Sequence, residues 1–212
     1  MKALIIGATG ATGKDLVETL LRDGAYSQVV SFVRRVSGKS HAKLREIVTD
    51  FDRLDEVAEY IHGDILFSCL GTTLKVAGSK ETQRHIDYDI PLKFAEIAKQ
   101  NQVYGIVLLS AFGASAKSNV FYSKIKGELE EAIAKLAFEQ YIVFRPGALV
   151  RKDSDRWGEK IAIGVLDFVN SLGLLKKFRP LPTATLAEKL AKAPKKLTIG
   201  THFIPLDQIF SF

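Results

Sequence analysis

Gly7-Ala8-Thr9-Gly10-Ala11-Thr12-Gly13 is the stretch that decides how this chain is read. Before it, Lys2-Ala3-Leu4-Ile5-Ile6 is a short apolar run that predicts a buried strand. After it, Lys14-Asp15-Leu16-Val17-Glu18-Thr19-Leu20-Leu21 has helical spacing. A strand, a glycine-rich turn and a helix N-terminus form a corner where backbone N–H groups and the positive end of the helix dipole converge, with no side chains in the way. Glycines at i, i+3 and i+6 allow a tight turn, close approach of a pyrophosphate and close packing of helix on strand. A glycine-rich turn without a ligand is the plain alternative. The flanking strand and helix favour a dinucleotide instead, with Gly7, Thr9, Gly10, Ala11, Thr12 and Gly13 around its phosphates.

Strand and helix patterns keep alternating beyond this corner. Gln28 to Val33, Leu44 to Val48, Asp64 to Leu70, Tyr104 to Leu109 and Tyr141 to Phe144 read as strands. Asp52 to Ile61, Thr82 to Asn101 and Val120 to Phe138 have helical spacing, with Pro91 marking a break or a first turn. Such alternation predicts an α/β protein: a Rossmann-type, doubly wound parallel sheet in three αβα layers. Ligands of these sheets sit at the carboxyl ends of the strands, where the strand order reverses. After Val150 the rhythm loosens. Asp153 to Arg156 reads as a loop and Glu159 to Leu172 as a helix. Thr183 to Ala193 reads as a helix capped by Thr183, and Leu197 to Ile199 as a short strand. The expectation is one domain over residues 1–212, with a cofactor-binding core in 1–150 and a substrate-side C-terminal elaboration in 151–212.

Bulk composition narrows the classes. At 212 residues the chain is long enough for one sizeable core. Its 30 basic and 24 acidic residues leave a net charge of +6, compatible with anionic ligands, but the two signs are interleaved. Nucleic acid is therefore not the expected partner. A lone Cys69 forbids an intrachain disulfide, the start lacks a secretory apolar region, and Ile161 to Val169 is too short to span a bilayer. These features predict a soluble cytoplasmic protein with no membrane partner. The four histidines, His41, His62, His85 and His202, are scattered, so no metal site is expected. Lys176-Lys177-Phe178-Arg179 reads as a solvated basic loop.

Cofactor identity is read at the end of the second strand. An acid there hydrogen-bonds the ribose 2′-OH of NAD, whereas an arginine suits the 2′-phosphate of NADP. Val33 is followed by Arg34 and Arg35 and by no acid, which favours NADP(H) over NAD. Asp50 and Phe51 are candidates to flank the adenine, although an Asp before a helix is ordinarily an N-cap.

The candidate chemistry lies further on. In Tyr122-Ser123-Lys124-Ile125-Lys126, Tyr122 and Lys126 are i and i+4 on one helix face. An ordinary phenol, with a pKa near ~10, is a poor acid–base group at neutral pH. An adjacent ammonium favours the phenolate. Taken alone, the pair reads equally as an amphipathic surface. Ser110, ending the fifth strand twelve residues earlier, adds a hydroxyl suited to a carbonyl oxygen. Cys69 reads as a small buried apolar residue rather than a redox centre.

With these residues together, the chain resembles the short-chain dehydrogenase/reductase superfamily. The resemblance rests on Gly7, Gly10 and Gly13, then Ser110, then Tyr122 and Lys126, then Arg145-Pro146-Gly147, and it covers roughly residues 1–150. Within the superfamily it is most similar to atypical members of the Tat-interacting-protein oxidoreductase group. The similar segments are Phe67 to Thr73, Asp87 to Lys93 and Phe121 to Glu130. The resemblance implies Tyr122 as general acid/base and Ser110 orienting the substrate carbonyl. It implies that Lys126 holds the nicotinamide ribose and lowers the Tyr122 pKa. It also implies Cys69, Leu70, Gly71 and Thr72 along the adenosine ribose, and Arg145, Pro146 and Gly147 near the nicotinamide. Two positions depart from typical members: Cys69-Leu70-Gly71-Thr72 stands for Asn-Asn-Ala-Gly, and Asp87 stands for the helical asparagine. The expected activity is NADP(H)-dependent interconversion of a small-molecule carbonyl and alcohol. The alternative is an NADPH-binding regulatory or interaction protein with little or no turnover.

Overall fold

The structure is a computed structural model, and it describes residues 1–150 and 180–212. The readings of Asp153 to Arg156, Glu159 to Leu172 and Lys176 to Arg179 lie outside the described residues.

Seven strands form one sheet, and every pairing in it is parallel. They are β1 (Lys2–Ile6), β2 (Gln28–Val33), β3 (Leu44–Val48), β4 (Ile65–Ser68), β5 (Gly105–Leu109), β6 (Gln140–Arg145) and, after the short β7 (Leu149–Val150) and β8 (Leu181–Pro182), β9 (Gly200–Pro205). The spatial order is β3-β2-β1-β4-β5-β6-β9, with β7 and β8 pairing separately. Apolar residues run through the inner strands because both sheet faces are covered. In β1, Ala3 and Ile5 point into one core, and Leu4 and Ile6 into the other.

The first core is closed by α1 (Ala11–Arg22) and α6 (Thr183–Lys196), which bury Leu16, Leu20, Leu186 and Leu190. The Tyr26 hydroxyl donates to the Ala191 carbonyl at 2.7 Å, tying the residues after α1 to α6. The second core is closed by α4 (Ile90–Gln100) and α5 (Phe121–Ala134), carrying Phe94, Ala98, Leu129 and Ile133.

Several elements differ from the sequence expectations for identifiable reasons. Leu54–Tyr60 is a 3-10 helix rather than an α-helix. Its buried residues, Leu54 and Val57, are three apart, a spacing that tighter winding also satisfies. Its final carbonyls are served from outside, since Asn101 Nδ2 donates to the Ala58 and Ile61 oxygens. The region around Pro91 is α3 (Lys80–Arg84), a π-turn over His85–Asp89, and α4. Pro91 lacks an N–H and crowds the carbonyl four residues back, and the wider turn accommodates this. A single turn, α2 (Leu74–Ala77), capped by the Thr73 side chain, was not anticipated.

The C-terminal part differs most. The expected strand at Leu197 to Ile199 falls instead at Gly200–Pro205, in register with β6 from Gln140 to Arg145. Residues 180–212 thus supply the seventh strand and the helix covering α1, rather than an appendage. Thr183 is a buried first residue of α6, and Pro182 takes the cap position without a side-chain bond. A last turn, α7 (Leu206–Ile209), follows β9.

Candidate functional site

β1 leads to β2 on one side of the sheet, and β4 to β5 on the other. The order therefore reverses between β1 and β4, and a crevice opens at their carboxyl ends. The glycine turn occupies this place. Gly7 has a φ of 81°, and the Gly10 N–H donates to its carbonyl at 3.0 Å. A Cβ on Gly7 would lie 2.5 Å from the Cys69 carbonyl carbon and oxygen and 2.7 Å from Leu70 N. A Cβ on Gly13 would lie 2.0 Å from the Gly7 oxygen. Gly7 therefore lets the turn lie flat against the end of β4, and Gly13 lets α1 close onto the turn. Gly10, by contrast, is exposed with Thr9, and its Cβ would meet only the Gly7 oxygen at 3.3 Å.

Ala11 and Thr12 open α1, whose first turn contains no acid and whose cap residue Gly10 makes no side-chain hydrogen bond. The positive end of the helix is left to an external anion. This cradle fits a dinucleotide pyrophosphate.

Arg34 and Arg35 are exposed just past β2 and form no ion pair with a described residue. Asp50, past β3, accepts the Asp52 N–H at 3.0 Å, so its carboxylate already closes a turn. Phe51 is half-buried against the second core.

The other half of the crevice is built by β4, β5, the π-turn and α5. Ser110 follows β5. Its N–H donates to the Phe144 carbonyl at 2.8 Å, while its buried Oγ has no hydrogen-bond partner among the described residues. Tyr122 lies in the first turn of α5 and is 37% exposed. Lys126, one turn later, is almost fully buried, with Nζ 5.9 Å from the Tyr122 ring centre. That ammonium is 2.7 Å from Asp87 Oδ1, an ion pair rather than an aligned hydrogen bond, and it donates to the Leu70 carbonyl at 3.2 Å. Asp87 Oδ2 accepts the Thr72 N–H at 3.0 Å. Gly71 lies between, where a Cβ would sit 3.4 Å from Asp87 Oδ1 and 3.7 Å from Lys126 Nζ.

Lys126 does pull the Tyr122 pKa down, as expected, but it is outweighed. Tyr122 is held above the ordinary tyrosine value, not below it. Burial is the largest cause, Lys126 pulls down, and Asp87 pushes up. Cys69 is half-buried, and burial pushes its thiol up to about 12 against the pull of Lys126, which suits an apolar residue and not a nucleophile.

The Arg145 side chain is engaged within the protein. Its guanidinium forms a two-pronged ion pair with Glu130 and lies 4.8 Å from the Phe203 ring centre. Glu130 is only 5% exposed in its side chain and needs that counter-charge. The rest of the turn is held by backbone: the Pro146 carbonyl accepts the Phe112 N–H at 2.8 Å, and Gly147 packs on Leu206. Sequence reasoning missed the Glu130 partner, which no motif announces. It noted Asp87 only as a departure from the family pattern.

A parallel sheet of this order, with a glycine turn and an acid-free helix terminus at its reversal point, defines a Rossmann-type dinucleotide-binding protein. The chain belongs to the NAD(P)H-binding family, which matches residues 7–162. Among its relatives, "Protein FMP52, mitochondrial" of Candida albicans is 33% identical over 89% of this chain and 85% of its own length. "Protein HTATIP2" of Rattus norvegicus is 38% identical over 74% of this chain and 67% of its own length, in keeping with the Tat-interacting-protein resemblance. In fold, the chain is similar to a UDP-glucose 4-epimerase of Thermotoga maritima, with a TM-score of 0.73, 14% identity, and coverage of 100% of this chain and 81% of that one. A short chain dehydrogenase family protein of Francisella tularensis gives a TM-score of 0.68 at 17% identity, covering 98% of both chains.

The expected cytoplasmic location is corrected by these relatives. The proteins of Candida albicans, Eremothecium gossypii and Emericella nidulans are all named mitochondrial. The expectation rested on a single cysteine and the absence of a long apolar start, and neither distinguishes the cytosol from an organelle.

Proposed function

We propose that the protein is an NADP(H)-dependent oxidoreductase of the short-chain type, reducing the carbonyl group of a small molecule to an alcohol or running the reverse oxidation. The observation carrying this reading is the buried Ser110 hydroxyl, without a partner among the described residues, which follows β5 at the same carboxyl end of the sheet as the glycine turn, with the partly exposed Tyr122 opening the helix that comes next. Gly7, Thr9, Gly10, Ala11, Thr12 and Gly13 take the pyrophosphate on backbone N–H groups. Arg34 and Arg35 take the ribose 2′-phosphate, and their open charges support NADP(H) over NAD. Asp50 and Phe51 flank the adenine. Cys69, Leu70, Gly71 and Thr72 line the adenosine ribose, and Pro146 and Gly147 border the nicotinamide.

The nicotinamide, when bound, supplies or accepts the hydride. Ser110 Oγ donates to the carbonyl oxygen and fixes its position. As the carbonyl carbon gains hydride, Tyr122 passes its phenolic proton to the oxygen, and alcohol forms. A phenol held above its ordinary value is protonated at neutral pH, which suits the reductive direction. Lys126 holds the nicotinamide ribose and steadies the charge on Tyr122.

A Tyr122→Phe protein is the test. NADPH oxidation across a panel of aldehydes and ketones should fall at least about a hundredfold, the usual contribution of a positioned acid, while NADPH affinity stays within about twofold. A second reading, a cofactor-binding protein with little turnover, draws support from Asp87 neutralising Lys126. Tight NADPH binding with no oxidation on any panel member would select it.

A further inference from the structure

Asp87 is a fully buried carboxylate at this site, and its two oxygens divide between two tasks. Oδ1 lies 2.7 Å from Lys126 Nζ, and Oδ2 accepts the Thr72 N–H at 3.0 Å. The π-turn over His85–Asp89 carries it inward, and its wider winding is imposed by Pro91 two residues beyond. Asp87 thus clamps the loop after β4 onto α5.

A neutral side chain in this place would leave the Lys126 ammonium as a full positive charge 5.9 Å from the Tyr122 ring centre. With Asp87, that charge is opposed by a carboxylate 2.7 Å away. The charged groups acting on Tyr122 come from two elements, Lys126 from α5 and Asp87 from the π-turn, and Cys69 at the end of β4 interacts with that Lys126. The thiol of Cys69 is uncharged at neutral pH, so the balance lies between Lys126 and Asp87.

We infer that Asp87 is a positioning residue which offsets the Lys126 charge and strengthens the hold of Tyr122 on its proton, so that the site is biased to donate a proton rather than to withdraw one. The inference rests on the Tyr122 assignment above and gives that site a direction, from carbonyl to alcohol. Burial acts the same way, while Lys126 opposes it.

The test reads Tyr122 directly, without cofactor or substrate. The chain is labelled with carbon-13 at the tyrosine ring carbon bearing the hydroxyl, and the Tyr122 signal is identified as the one missing from Tyr122→Phe. Its shift is then followed with pH by nuclear magnetic resonance. In the native protein the midpoint should lie above the ordinary value of ~10. In Asp87→Asn, similar in shape and uncharged, it should fall by about one pH unit or more, a tenfold or greater loss of proton affinity, as expected for an uncancelled charge at this separation. Asp87→Glu retains the charge and should stay near the native midpoint, whereas a purely structural role would disturb both variants alike. An unchanged midpoint in Asp87→Asn overturns the inference. If Asp87→Asn does not fold, Asp87→Ser is titrated in its place with the same two outcomes, and a native midpoint at or below ~10 overturns the inference outright. The outcome is separable from the proposed function, since loss or retention of NADPH oxidation in Tyr122→Phe is scored independently of the titration.

Discussion

Gly7→Ala isolates the contact that brings the phosphate-binding turn onto β4. Two separate costs follow from the geometry. A φ of 81° disfavours any residue with a Cβ by about 1–2 kcal/mol. The added Cβ would also overlap the Cys69 carbonyl at 2.5 Å, and that backbone is fixed because the Cys69 N–H donates to the Ile6 carbonyl at 3.0 Å. Forcing an atom into a packed place costs typically about 1–3 kcal/mol more. The sum is about 2–5 kcal/mol, or a melting point lower by roughly 5–15 °C in a chain of this size. Gly78 is the internal control, since its φ is 83° and nothing lies within 4 Å of where its Cβ would stand. Gly78→Ala therefore reports the dihedral cost alone. Thermal melts followed by circular dichroism should show Gly7→Ala clearly below Gly78→Ala, and fluorescence titration should show weaker NADPH binding by the former only. Equal melting points for the two variants would refute the close approach of turn and strand.

Four further outcomes follow from the same geometry. Gly10→Ala adds a methyl on the exposed side of the turn, so its melting point should stay within about 3 °C of native while NADPH affinity falls at least about tenfold by titration. Arg34→Ala should weaken NADPH by about 10- to 100-fold, the value of one charge-assisted hydrogen bond, and leave NADH unchanged in parallel titrations. Arg145→Leu strands the buried Glu130 carboxylate and should cost about 2 kcal/mol or more in urea unfolding, with Glu130→Met restoring most of it. Tyr26 and Tyr141 are both held above the ordinary phenol value by burial. A folded-state value raised in this way stabilises fully below the unfolded value of ~10 and is lost as pH rises beyond it. Urea midpoints should therefore drop steeply above pH ~10, and the double change Tyr26→Phe, Tyr141→Phe should flatten that decline.

The inner strands were legible because strands buried on both faces are apolar through most of their length, as Ala3 to Ile6 and Ile106 to Leu108 are, whereas the edge strand β3 carries Arg45 and Glu46 and shows only Leu44, Ile47 and Val48. β9 was harder. It lies at the sheet edge and alternates in exposure, so Thr201, His202 and Phe203 form no apolar run, and the reading stopped at the apolar Ile199 just before it. The spacing of Leu54 and Val57 cannot distinguish α from 3-10 winding, whereas Pro91 did announce an irregularity without naming a π-turn. In the site, Gly7, Gly10, Gly13, Ser110, Tyr122 and Lys126 were legible because each follows a strand or shares a helix face. The charge balance was not. Whether Lys126 faces Tyr122 or Asp87 depends on a contact between residues far apart in the chain, and so does the pairing of Glu130 with Arg145. Motifs record which groups are present, and burial decides what state they adopt.

The late position of β9 has a consequence for how the protein is made. When a ribosome has released residues only as far as Arg145, six strands are present, but β6 is an open edge whose N–H and C=O groups face outward. α1 is then also uncovered, because Leu186, Leu190 and Ala191 have not been synthesised. The nascent chain holds a nearly complete nucleotide cradle on an unfinished sheet, with a sticky border and a bare apolar face. A product cut short before Gly200 would keep that open border, and exposed edges of this kind are prone to aggregation.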